Sequence, residues 1–145
     1  MNSNNMHTIS SMAVLQVCLG HQVRRTARSF TREYDKSLQA CGLNYCQFNL
    51  LLVIASLEPV PTPKISAKMA MDRTTLSRSI KSLKFKGYID SQNGAGRRPD
   101  IISLTINGHT ILAKAKALWQ VTQGDLANRI GRDQAGQLLD ILGKI

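Results

Sequence analysis

The sequence predicts a mainly α-helical chain carrying one small antiparallel β-hairpin, and three observations predict it. Apolar residues recur every three or four positions over most of the chain, as amphipathic helices require. Only between Tyr88 and Ile106 does the period fall to two, the period of a half-buried strand. The two regimes meet beside a short helix, a tight turn and a second, basic helix. Of the 145 residues, 19 are Lys or Arg and 9 are Asp or Glu, a net charge of +10. That imbalance favours a polyanionic partner, nucleic acid first. A membrane-binding helix would set its basic residues beside an aromatic-rich apolar face, and only 5% of this chain is aromatic.

No apolar run reaches the roughly 18 residues that a bilayer span needs, and MNSNNMHTISSM has neither the charged start nor the apolar core of a signal peptide. The expectation is a flexible tail over residues 1–10 on a cytoplasmic protein, followed by a single domain over 11–145. Cys18, Cys41 and Cys46 are odd in number and lack metal-ligand spacing, so neither a disulfide framework, a metal site nor a cofactor is expected. His7, His21 and His109 have no carboxylate at helical spacing, and no nucleophile with its base can be assembled, so an enzyme is not expected.

In chain order, Leu15, Leu19, Val23, Ala27, Phe30, Tyr34 and Leu38 predict one long helix from about Ser11 to Ala40. Cys18, His21, Arg25, Arg28 and Arg32 lie opposite them, and Gly42 is the stop. Asn44 caps a second helix that buries Phe48, Leu51, Leu52 and Ala55, and Pro59, Pro61 and Pro63 prevent its continuation. Thr62 reads as the N-cap of a short helix over Lys64 to Met69, with Pro63 at its first position.

After a turn at Ala70 and Met71, Asp72 caps a helix whose seam is Leu76, Ile80 and Leu83. Its other face carries Thr74, Ser77, Arg78 and Lys81, groups that donate to phosphates and base edges. Tyr88 to Gln92 reads as a strand, Asn93-Gly94-Ala95-Gly96 as a turn, and Ile102, Leu104 and Ile106 as the returning strand, with Arg97 and Arg98 at the tip. Two packed helices followed at once by such a hairpin form a winged helix-turn-helix over residues 44–106. Between Lys64 and Asp100 stand nine basic and three acidic residues, more than half of the net charge.

Thr105 can also cap a long helix with Ile111, Leu112, Ala115, Leu118, Trp119, Thr122 and Leu126 along one side. After an interruption at Asn128 to Arg132, a last helix from about Asp133 carries Leu138, Leu139, Ile141, Leu142 and Ile145. Residues 11–40 and 107–145 hold more apolar surface than one chain can cover, so they are expected to act as dimerisation helices against a second copy.

Three groups of residues resemble the MarR family of bacterial winged-helix regulators: Tyr34-Asp35 with Cys41-Gly42-Leu43 and Gln47-Phe48; the run from Met71 to Arg78; and Ser103-Leu104-Thr105 with Gly108. The resemblance covers about 100 residues, Arg24 to Ala127. It implies a homodimer on a pseudo-palindromic operator, usually a repressor released by a small molecule or an oxidant. It puts Thr74, Thr75, Ser77 and Arg78 in the major groove and Arg98 in the minor groove. Arg73, Lys81 and Arg97, beside them in the sequence, are expected as further DNA contacts. Where the family commonly has Asp two positions before the wing arginine, this chain has Gly96, which removes any ion pair that braces the wing.

The resemblance also places an aromatic carboxylate or phenol between the dimerising helices and the winged region. His21, Arg25 and Arg28 would then face the anion, with Trp119 as an apolar wall; a solvated stripe or a DNA-backbone contact explains the same residues. The rival switch is oxidation of Cys18, since peroxide-sensing relatives carry a reactive cysteine early in the first helix. Cys18 lies two residues ahead of theirs, a rotation of about 200° around a helix. A winged helix can also serve as a protein-interaction module without a DNA role, which would not need basic residues on the second helix and the wing.

Overall fold

The computed structural model describes residues 9–92 and 98–145. The expected tail up to residue 8, the hairpin turn with Gly96, and Arg97 lie outside the described residues. The elements are α1 (Ser11–Val17), α2 (Leu19–Leu38), a 3-10 turn (Gln39–Cys41), α3 (Tyr45–Leu57), β1 (Val60–Pro61), α4 (Thr62–Met69), α5 (Arg73–Phe85), β2 (Ile89–Gln92), β3 (Ile101–Leu104), α6 (Ile106–Ile130) and α7 (Arg132–Leu142). The predicted class, mainly helical with a small antiparallel wing, is the class observed. The chain divides into two compact units, residues 1–33 and 34–145.

In the larger unit α3 is the centre. Its apolar residues run all round the helix, and it packs against α4, α5, α6 and β3. Phe48, Leu50, Leu51 and Ile54 are fully buried, while the expected Leu52 and Ala55 are half-buried. The capping box expected of Asn44 forms with Gln47: the Asn44 side chain accepts from the Gln47 N–H at 2.8 Å, and the Gln47 side chain accepts from the Asn44 N–H at 3.2 Å.

The Pro-rich stretch hides a strand. Val60 pairs with Ile102 and Pro61 with Ile101, adding β1 to the hairpin in the order β1-β3-β2. A proline is admissible there because β1 is an edge strand, where one missing donor leaves the ladder intact. Thr62 is therefore not the cap of α4 but its first residue. Its hydroxyl and its N–H both donate to the Asp100 carbonyl, at 2.9 and 3.1 Å, tying α4 to the base of the wing.

Ile106, expected in the returning strand, opens α6 and is exposed. Thr105 ends the alternation because its hydroxyl caps α6, accepting from the Gly108 N–H at 2.9 Å and donating to the Gly87 carbonyl at 2.7 Å. Gly108 is required by close approach, since a Cβ there would stand 1.9 Å from the Tyr88 carbonyl oxygen. The break between the last two helices is the single residue Gly131, at φ 97, rather than the expected stretch from Asn128 to Arg132.

In the smaller unit the long helix expected from Ser11 to Ala40 is interrupted. Cys18 is extended (ψ 109), separating α1 from α2. The Gln22 side-chain amide donates to the Leu15 and Gln16 carbonyls, at 3.2 and 3.4 Å, the acceptors that Leu19 and Gly20 would serve in a continuous helix. Gly20, a poor helix former, follows directly. α1 buries no residue. At the other end α2 closes in the 3-10 turn and in Gly42 at φ 72, the stop the sequence indicates.

Candidate nucleic-acid interface and effector face

The turn between α4 and α5 is set by backbone and one hydroxyl. Ala70 takes the left-handed conformation (φ 48), the Ser66 hydroxyl donates to the Met71 carbonyl at 2.8 Å, and the Met71 N–H donates back to the Ser66 carbonyl at 3.3 Å. For a residue with a Cβ that conformation costs about 1 kcal/mol. Asp72 then opens α5, its carboxylate accepting from the Thr75 N–H at 2.9 Å and from the Thr75 hydroxyl at 2.6 Å. Those hydrogen bonds, the hydroxyl's first, hold the Asp72 carboxyl below the usual carboxylate range.

Leu76 and Leu83 are buried and Ile80 half-buried, which fixes the rotation of α5. Arg73, Thr74, Thr75, Ser77, Arg78 and Lys81 are all exposed on the same helix. Two of them carry other engagements. The Thr75 hydroxyl is already donated to Asp72, and Arg73 lines a recess of about 550 Å³ with Thr62, Pro63, Ser66, Ala67, Leu76 and Pro99. Thr74, Ser77, Arg78 and Lys81 are the free-standing set. Arg98 is exposed at the wing, and Arg97 is outside the described residues.

The far end of α5 is fastened in a way that sequence reasoning missed. Lys86 donates to the Gly42 carbonyl at 2.7 Å and to the Gln47 side-chain oxygen at 3.4 Å, while the Gln47 amide nitrogen donates to the Ser82 hydroxyl at 3.0 Å. Gln47 is buried, and its amide is used on both sides. One step further, Asp35 accepts the Tyr45 N–H at 2.7 Å, and Tyr34 stacks on Tyr45 with ring centroids 4.5 Å apart. Tyr34 also donates to the Gln123 side chain, and burial followed by the neighbouring Tyr45 raises its phenol above the ordinary value. A polar residue at the third position of a capped helix was the available signal for Gln47. Lys84, donating to Ser91 at 2.8 Å, braces the first wing strand in the same manner.

On the other candidate face, His21, Arg25 and Arg28 come together with Arg24 and Arg32 around a recess of about 380 Å³ on α2. All five are exposed, and no carboxylate is among the described residues lining it. Like charges three and four residues apart destabilise an isolated helix by a few tenths of a kcal/mol per pair, so this face carries an electrostatic cost. Trp119 lines a different recess, of about 360 Å³, with Phe48, Leu52, Lys116 and Gln120. Cys18 is exposed, while Cys41, against the Leu38 carbonyl at 3.1 Å, and Cys46, 3.8 Å from the Ser79 hydroxyl, are half-buried. Among the described residues no single helix is long and apolar enough to cross a membrane.

A capped helix pair, a basic second helix and a three-stranded wing define a winged-helix domain of the transcription-regulator class. No family model matches the chain. It is similar to the M. tuberculosis transcriptional regulator MosR solved in complex with DNA, 31% identical over 86% of this chain and 98% of that one, with a TM-score of 0.69. The repressor CouR bound to a 23-mer DNA duplex is 23% identical, covering 94% of this chain and 98% of that one at a TM-score of 0.84; CouR has also been solved bound to p-coumaroyl-CoA. A curated relative, the uncharacterized HTH-type transcriptional regulator YwoH of Bacillus subtilis (strain 168), is 25% identical over 85 residues, 59% of this chain and 62% of that protein. The chain belongs to the MarR family of winged-helix transcriptional regulators.

Proposed function

We propose that the chain acts in the cytoplasm as a homodimeric repressor on a pseudo-palindromic DNA operator and is released by a small anionic aromatic ligand. The observation that carries the DNA part is α5, where Leu76 and Leu83 anchor one side while Thr74, Ser77, Arg78 and Lys81 stand exposed beside it. In this reading residues 11–40 and 107–145 are dimerisation arms around the winged region 44–106, and α5 enters the major groove with Arg73 and Thr75 at its margin. Arg98 reaches the neighbouring minor groove, and Arg97, outside the described residues, is taken as a neighbouring DNA contact. The exposed Met12, Val17, Leu19, Leu139 and Ile141 support the arms' need for a second copy.

His21, Arg25 and Arg28 supply the cations for the effector from the face of α2. A second reading rests on Cys18, exposed where the helix is already broken, as an oxidation switch. In the ligand route Arg25→Ala leaves operator binding near normal and abolishes release. In the oxidation route Cys18→Ser is deaf to peroxide, and Arg25→Ala still responds.

Selection from random duplexes followed by a salt titration tests the DNA reading. The selected site is expected to bind about 10³-fold or more tighter than random DNA, with an affinity that falls steeply with salt. A protein that shows neither sequence preference nor salt dependence would be an interaction module instead.

A further inference from the structure

Thr75 is exposed on α5, yet its hydroxyl is already committed. The hydroxyl donates to one Asp72 carboxylate oxygen at 2.6 Å, while the other carboxylate oxygen accepts the Thr75 N–H at 2.9 Å. A hydroxyl has one hydrogen, so Thr75 has none left for a phosphate oxygen, a guanine O6 or N7, or a thymine O4. The carboxylate held beside it repels those same acceptors. The residue nevertheless stands in the first turn of the helix, about 60° around from Arg78, at the end that meets base edges when such a helix lies in the major groove. What it has left to offer a base is its methyl group. Among the four bases the major groove carries one apolar counterpart, the C5-methyl of thymine.

We infer that Thr75 is a specificity-determining residue that packs its methyl group against the C5-methyl of a thymine in each half-site of the operator, with its hydroxyl held by Asp72. The inference rests on reading α5 as the helix in the major groove, and it names what one of its side chains reads. Thr75 then differs in kind from Arg78: a guanidinium discriminates by paired hydrogen bonds, whereas a methyl group discriminates by the apolar surface that it and its counterpart remove from water.

Uracil is thymine without that methyl, and serine is threonine without its own. In the operator selected from random duplexes, each thymine of one half-site is replaced in turn by deoxyuracil, and the full-length wild type and its Thr75→Ser variant are compared in competition binding. Wild type is expected to lose about three- to fivefold in affinity at one position at least, the effect of one methyl group removed from water. Thr75→Ser retains the groups that make both hydrogen bonds to Asp72, and it should bind the thymine and uracil forms of that position within about 1.5-fold of each other. An operator indifferent to uracil at every position overturns the inference on wild type alone, whatever the variant's stability, and leaves the DNA reading standing. A uracil penalty of equal size in both proteins assigns the thymine methyl to another side chain and overturns it as well. Failure to select any operator ends both readings.

Discussion

Residues 34–145 and residues 1–33 spend the same kinds of side chain differently. In the larger unit most leucines and isoleucines of α3, α5 and the sheet are buried, and α3, α5 and α6 each open on a side-chain cap, Asn44, Asp72 and Thr105. In the smaller unit α1 hides nothing, and Val17 and Leu19 stand at 79% and 81% exposure. Apart from α7, which buries no residue, the first region is stabilised by its own chain. The second has the periodicity of a packed helix without the packing, so its apolar face is a requirement for something outside itself. Apolar period alone does not tell these situations apart.

The comparison can be broken with one chemical deletion made in both regions. Leu83→Ala, at a fully buried site, is expected to cost about 2 to 5 kcal/mol in denaturant unfolding. Leu19→Ala should change the unfolding of the isolated chain by less than about 0.5 kcal/mol while weakening self-association in sedimentation runs at several concentrations. If Leu19→Ala destabilises as strongly as Leu83→Ala in a dilute monomer, the contrast is false. Gly108→Ala should rank with Leu83→Ala, because its new methyl meets the Tyr88 carbonyl; a loss of about 1 to 3 kcal/mol in thermal unfolding is the expected reading.

A smaller effect sharpens the division within α5. Arg78→Ala should cost about 1 to 3 kcal/mol on the selected operator and little on random DNA, whereas equal losses in a competition assay would make it a phosphate contact. The smallest expected effect is in acid. The Asp72 carboxyl is depressed in the folded chain, so its contribution is present above the ordinary carboxylate range and lost as pH falls through the lower folded value. Asp72→Asn should lower stability slightly at neutral pH and flatten the acid limb, so that variant and wild type converge below the folded value.

Much of the larger unit was legible because its signals are chemical. Asp72, Asn44 and Thr105 each cap the helix their side chains suggest, and the seam of α5 is the one its spacing gives. What escaped depends on backbone geometry. Leu15, Leu19 and Val23 keep their period across the break at Cys18, so hydropathy cannot see it. Val60 and Pro61 sit among prolines that normally forbid a strand, and only an edge position admits one. Ile106 continues an alternation that the Thr105 hydroxyl has already ended. At the candidate interface, residue type marked the exposed donors, but it could not reveal that Thr75 spends its hydroxyl on Asp72.

The fastening of α5 at its distal end gives the helix a lever arm. Lys86 and Ser82 hold that end against the turn before α3 and against Gln47, while the Asp72 end is tied through Met71 to the short α4. Thirteen residues make a rod of about 20 Å. If the pivot is at Lys86, a tilt of about 5° sweeps the Asp72 end through roughly 1.7 Å, more than the whole tolerance of a hydrogen bond to a base edge. A displacement of that size at the Asp72 end would be enough to unmake hydrogen bonds from the exposed side chains of α5.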